Sequence, residues 1–256
     1  MINPELHKKP VALDRVLHRE LKLRTEQDNL AAAAGLNAFF ITAGEFGDVC
    51  KEYPILFLRA GVDDQGQAQV APMAVFGLGK GENLFHDPGN AQRSWRARYV
   101  PAMLRAYPFA MAPVDKQQWA VAIDESWSGW SQTDGQALFD AQGEPTPYLV
   151  ELRGFIERIE QDVERTRQIG VRLMALNLLE EKRFDATLPD GSPLKVDGFL
   201  GLNEKRLNAL TDAEVLELHR SGLMGLMHAH QISLTNMAWL VERKLALQGA
   251  APAASH

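Results

Sequence analysis

The hydrophobic periodicity of this chain changes near Pro147, and that change limits the folds open to it. From Pro147 onward, Leu149, Leu152, Ile156, Ile159, Val163, Leu173 and Leu176 approximate a 3.6-residue repeat, which lays one apolar stripe along a helix. The opposite face carries the four-residue charge pairs Arg153/Glu157 and Arg158/Asp162. Gly170 interrupts the pattern and reads as a bend or break. Before Pro147 the apolar segments are short, rich in Val, Ile and Phe, and punctuated by Gly, Pro and Asp, as strands are. The expected fold class is therefore α+β: a mixed β-sheet in the N-terminal half packed against helices of the C-terminal half.

Strands are expected at about residues 18–23, 38–42, 54–59, 70–78 and 119–124. The unbroken run Ile55-Leu56-Phe57-Leu58 predicts a strand buried on both faces, with Pro54 tolerated only at its start. Short helices are expected at 43–52 and 101–106. A late β-hairpin is signalled by apolar segments at 184–188 and 193–199 around Asp190-Gly191, which supplies a positive φ. Thr211 and Glu214 form a capping box, Gly222 sits where a helix ends, and a last helix is expected over about 223–247. Residues 1–10 are expected to be a flexible N-terminus, 11–247 a single domain and 248–256 a disordered tail, since no linker or repeat divides the chain.

A net charge of −6 argues against a general nucleic-acid binder, whose surface must be cationic. Arg93, Arg96, Arg98 and Arg105 form one local basic cluster. The single cysteine, Cys50, excludes an internal disulfide and fits a reducing compartment. The N-terminus lacks the apolar stretch of a signal peptide, and no apolar run is long enough to span a bilayer. A cytoplasmic protein without membrane insertion is the expectation.

Several motifs fail on physical grounds. Gly77-Leu78-Gly79-Lys80-Gly81 follows a strand, but no helix follows it to face a phosphate. Ser192 and Lys195 match SxxK only by letters, because Pro193 places them on an extended segment. Asp124 and Glu125 point to opposite faces of a strand and do not form an acid/base dyad. His228 and His230 lie about 200° apart on a helix and cannot grip one metal; His230 shares the apolar stripe and reads as a core histidine with one hydrogen bond. The enzyme alternative worth carrying is an iron-dependent oxygenase, with His18 and Glu20 on one strand face and His86 as the distal ligand. No cofactor is otherwise expected.

The segment 125–138 is polar yet carries Trp127 and Trp130. One reading folds both tryptophans back onto their own domain. The other makes Trp127 or Trp130 an anchor for a protein or peptide, joined by Arg96, Arg98 or Arg105, since interface hot spots favour Trp and Arg.

Several stretches together resemble the SapC family of bacterial proteins. They are Glu45-Phe46 with Tyr53 to Phe57, Gly77-Leu78 with Gly81 to Phe85, and Arg98 to Ala102 with Arg105 to Phe109. They continue with Ile123 to Ser126, Leu138 to Asp140 with Gly143 to Tyr148, Leu188 to Gly191, Leu207 to Leu210, and Ala229-His230 with Ser233-Leu234. The resemblance covers about residues 11–241. In that family the position of His86 is usually apolar, which weakens the iron triad. Genes of the family often lie near TonB-dependent outer-membrane receptors, tryptophan-halogenase-like proteins and cupin-like oxygenases. The resemblance thus implies an accessory or binding protein without catalytic activity of its own, tied to nutrient uptake or to modification of a peptide or tryptophan-containing substrate.

Overall fold

The apolar run at Ile55–Phe57 becomes the buried start of a central strand, but burial on both faces stops there: Leu58, expected inside, is 36% exposed. The computed structural model describes residues 2–63, 65–90, 94–113, 119–188 and 191–250. Arg93, Asp190 and residues 251–256 of the expected tail lie outside the described residues. In chain order the first strands are β1 (Pro10–Ala12), β2 (Lys22–Leu23), β3 (Ala38–Phe40), β4 (Ile55–Val62) and β5 (Ala68–Val75). They are followed by β6 (Phe109–Pro113), β7 (Trp119–Asp124), β8 (Trp130–Ser131), β9 (Gln136–Ala137), β10 (Leu179–Thr187) and β11 (Pro193–Leu202). The helices are α1 (Phe46–Val49), α2 (Ala102–Ala106), α3 (Pro147–Ala175), α4 (Glu204–Asn208), α5 (Asp212–Arg220), α6 (Leu223–Ser233) and α7 (Asn236–Ala250). The α+β class and the late hairpin, β10–β11, stand as expected. The sheet is not mixed, however: every described pairing is antiparallel, and the strands form three sheets.

The chain divides into two compact units, each assembled from two segments, with the boundary inside α3 at Asp162/Val163. The first unit comprises residues 1–35 and 85–162. Its larger sheet has the order β1-β7-β6, with Val11 opposite Ile123 and Phe109 opposite Ile123 on the other side. Two-residue strands form a second sheet, β8-β2-β9. The first half of α3 buries Leu149, Ile156 and Ile159 and leaves Arg153 to bridge Glu157 at 2.8 Å on its outer face. That outward pair sits in water and contributes only about 0.3–0.5 kcal/mol; the apolar stripe, not the charges, holds the helix in place.

The second unit comprises residues 36–84 and 163–256. Its five-stranded sheet has the order β10-β11-β4-β5-β3. Here α3 runs through Gly170 without a break. The glycine is needed for packing: a Cβ at Gly170 would come within 2.9 Å of both the Val70 side chain and the Val70 carbonyl on β5. The capping box at Thr211 and Glu214 forms, and Gly222 takes the left-handed conformation at φ 78°. The expected last helix is two, α6 and α7, because the hydroxyls of Ser233 and Thr235 bond back to the carbonyls of His230 and Ile232 (2.6 and 2.8 Å) where the helix ends. Met227, His230 and Met237 are buried and His228 is exposed, as the helical phase requires, whereas Leu234 and Val241, expected on the same buried stripe, are only half-buried.

Candidate functional site

The three residues weighed as an iron site do not converge. His18 and Glu20 lie in turns rather than on a strand, because the Asp14 carboxylate accepts the Val16 and Leu17 N–H groups (2.7 and 2.8 Å) and curls the chain. The shared face of positions i and i+2 is thereby lost. Asp14 N–H donates to His18 Nδ1 (2.9 Å), Glu20 is exposed, and His86 Nε2 lies 3.2 Å from Asp28. Among the described residues no group of three or more His, Cys, Asp or Glu side chains is placed to hold a metal ion. Ser94 donates to the same Asp28 at 2.8 Å, so its hydroxyl faces a carboxylate rather than an imidazole that could activate it.

The other motifs resolve as structure. Leu78 N–H, in the Gly77–Gly81 loop, donates to Glu82 at 2.8 Å, and Glu82 pairs with Lys244, so this loop amide is satisfied by the protein's own carboxylate. His230 Nδ1 donates to the Ile55 carbonyl at 2.8 Å while Nε2 accepts the Leu202 N–H at 3.2 Å. Burial pushes its pKa down to about 4, so this imidazole is neutral and ties β4 to β11 with two hydrogen bonds instead of the one expected.

The tryptophan segment does fold back on the first unit. Trp127 is 8% exposed and Trp130 is half-buried. Their rings meet edge to face at 5.2 Å, and Trp130 meets Phe109 the same way at 5.4 Å. Gly129 makes this possible, since a Cβ there would stand 2.2 Å from the Trp127 ring.

Behind the two rings lies Asp124, fully buried. Its carboxylate accepts five hydrogen bonds: from the Lys8, Lys9 and Ser126 N–H groups and from the Ser126 and Tyr107 hydroxyls. Burial alone would raise its pKa; the hydrogen bonds from Ser126, Lys8 and Lys9 outweigh it and hold the group at about 2. Burial and the adjacent Asp124 charge push the Tyr107 hydroxyl up in turn. The Asp124 carbonyl accepts Trp130 Nε1 at 2.8 Å. One residue thus seats two of the aromatic residues around the segment, Tyr107 through its ionised side chain and Trp130 through its backbone carbonyl.

Tyr107 and Trp127 border a cleft of about 220 Å³ within the first unit. Its apolar walls include Leu23, Ala106, Phe109 and Leu152, and its ring walls are Tyr107, Trp127 and Tyr148. Two arginines line it. Arg24 is neutralised by Asp134, whose carboxylate takes both Nε (3.1 Å) and Nη2 (3.2 Å). Arg105 is different: its guanidinium lies over the Tyr99 ring (5.5 Å) and the Phe155 ring (5.2 Å), with no carboxylate partner among the described residues. Among the described residues no Asp or Glu lines the cleft. Among the described residues, buried Trp127 Nε1 has no hydrogen-bond acceptor, and neither has the hydroxyl of half-buried Tyr148, its pKa raised by burial.

Of the residues singled out in the sequence, Arg105 and Trp127 come together on this cleft, with Trp130 packed behind Trp127. Arg96 pairs with Asp87 at 3.0 Å and Arg98 is exposed; neither lines the cleft. Tyr99, Phe155 and Tyr148 were not foreseen, since nothing in their spacing connects them to Arg105.

The fold and the cleft define an α+β protein with a small, aromatic-walled cationic site. The SapC family model matches residues 13–240, and the chain belongs to that family. No curated protein and no solved structure matches it. Among the described residues no helix is long and apolar enough to cross a membrane.

Proposed function

We propose that this SapC-family chain is a cytoplasmic binding protein without catalytic activity of its own, acting beside receptor-linked uptake or peptide-modification enzymes. The first unit's cleft is where a protein or peptide partner is anchored. The supporting observation is Arg105, an exposed residue on the lining of an aromatic cleft, whose guanidinium lies over the Tyr99 and Phe155 rings and lacks a carboxylate partner among the described residues. A stacked guanidinium is weakly hydrated and already oriented, so little is lost in ordering it on a partner. Arg, Trp and Tyr are the side chains that dominate binding hot spots. The residues weighed for catalysis are engaged in structural bonds instead, as with His230 and Asp124.

A synthetic peptide library screened against the purified chain tests this reading. Peptides retained by the wild type should be lost with Leu152→Trp, which fills the cleft, and with Arg105→Gln, both variants keeping the wild-type melting temperature within a few degrees. Retention indifferent to both substitutions would place binding elsewhere and sink the proposal.

A further inference from the structure

The chemistry of the same cleft narrows the ligand further. Resting on the reading above, we infer that the cleft takes the C-terminal residue of a peptide chain, with its α-carboxylate on Arg105 and an apolar side chain against Trp127 and Leu152.

Charge comes first. Of the two cations on the lining, Arg24 is held in a two-pronged bond by Asp134, while Arg105 has no counter-ion among the described residues. A planar guanidinium matches a carboxylate through two parallel N–H···O bonds. One unneutralised cation suits a single negative charge, which favours a carboxylate over a phosphate dianion. Tyr148 and Trp127 also line the cleft, and among the described residues neither the Tyr148 hydroxyl nor the indole N–H of Trp127, a residue more than nine-tenths buried, has an acceptor.

Size and lining decide the rest. About 220 Å³ is below the roughly 300–1,000 Å³ of pockets that enclose drug-sized ligands, so one residue fits and a nucleotide does not. The lining is mixed: Thr25, Gln27 and Asn29 supply polar groups, while Leu23, Ala106, Phe109, Trp127 and Leu152 supply an apolar surface that suits a side chain diverging from the carboxylate. A chain-terminal residue has that geometry, because carboxylate and side chain leave the same carbon. A free amino acid also brings an ammonium group, and among the described residues no Asp or Glu lines the cleft to neutralise it. The amino end of the ligand must therefore be acylated, as it is in a peptide.

Four probes test this by calorimetry on the full chain: acetyl-Gly-Gly-Phe with a free carboxylate, the same peptide as its C-terminal amide, free phenylalanine and inorganic phosphate. The carboxylate peptide should bind at least ten-fold more tightly than the amide, weaken with added salt, and fall to the amide's affinity in Arg105→Gln. Free phenylalanine and phosphate should bind at least ten-fold more weakly than the carboxylate peptide. Equal binding of acid and amide, both lost in Leu152→Trp, would overturn the chain-end assignment and leave the cleft as the binding site. Phosphate binding as tightly as the peptide would also overturn it. Acid and amide binding that survives Leu152→Trp, or no binding of either together with library peptides indifferent to the cleft variants, would overturn both readings.

Discussion

Replacing Asp124 by Asn should destabilise the first unit by about 3 kcal/mol at neutral pH, and the loss should shrink as the solution is acidified. The folded state holds this carboxyl at about 2 against an ordinary 3.8, a difference worth about 2.5 kcal/mol. The sign follows from the direction: a depressed carboxylate contributes fully above its unfolded pKa and loses that contribution as pH falls from about 4 through about 2. Asn keeps the shape but turns an NH₂ group toward donors that now meet a carboxylate oxygen, either Lys8 N–H and the Tyr107 hydroxyl or the Lys9 and Ser126 groups. A buried N–H that faces another donor costs about 1–3 kcal/mol. Urea unfolding followed by tryptophan fluorescence reads the right region, because four of the five tryptophans belong to the first unit. Run in parallel from pH 7 to pH 2, the two proteins share every other titrating group, so their difference isolates Asp124. A gap that stays constant with pH, or that is below about 0.5 kcal/mol at pH 7, would refute the account of Asp124 as an ionised hub.

Three further substitutions probe the packing. Gly129→Ala drives a methyl into the Trp127 ring and should cost about 1–3 kcal/mol while shifting tryptophan emission to the red. Gly170→Ala should destabilise the second unit by urea midpoint, although helix propensity alone favours Ala by about 1 kcal/mol, because the new methyl meets the Val70 backbone. In His230→Phe the Ile55 carbonyl and Leu202 N–H lose their partner, costing about 2–4 kcal/mol at pH 7. The wild-type histidine, lowered from 6.5 to about 4, contributes fully above about pH 6.5, and about 3 kcal/mol of stability should fade toward pH 4. The Phe variant should lack that acid-side loss when hydrogen exchange of β4 and β11 is followed across the range.

The elements that were legible are those whose local signals agree with their packing. The strand at Trp119–Asp124 was bounded correctly because its apolar run ends at a charged turn. Misreadings occurred where a distant contact or a single side chain overrode the local signal. Gly170 looks like a helix breaker until Val70 is seen against it. The segment from His18 alternates like a strand, yet the Asp14 carboxylate bonds two following amides and makes it a turn, leaving only Lys22–Leu23 extended. The strand Phe109–Pro113 was missed because it follows a helix with only two residues between, and its Ala and Met carry little strand preference.

The candidate site was legible as ingredients and not as an arrangement. Trp127 and Arg105 stand out because both are costly to leave without a purpose, one for its apolar area and one for its charge. What the sequence could not supply is that Tyr99 and Phe155, far apart in the chain, would flank the same guanidinium. Such an arrangement needs no fixed spacing, because Tyr99 arrives on a loop and Phe155 on α3. The rigidity of the site has the same origin. Asp124 seats Tyr107 through its carboxylate and Trp130 through its carbonyl, and Trp130 in turn buttresses Trp127. A cleft whose walls are fixed by a buried ionised hub loses little entropy when a ligand enters it, so modest contacts there convert more fully into affinity. That couples the two sets of experiments: Asp124→Asn, tested at a urea concentration where the chain remains folded, should weaken carboxylate-peptide binding through loosened walls while leaving its preference over the amide intact, because the preference resides in Arg105.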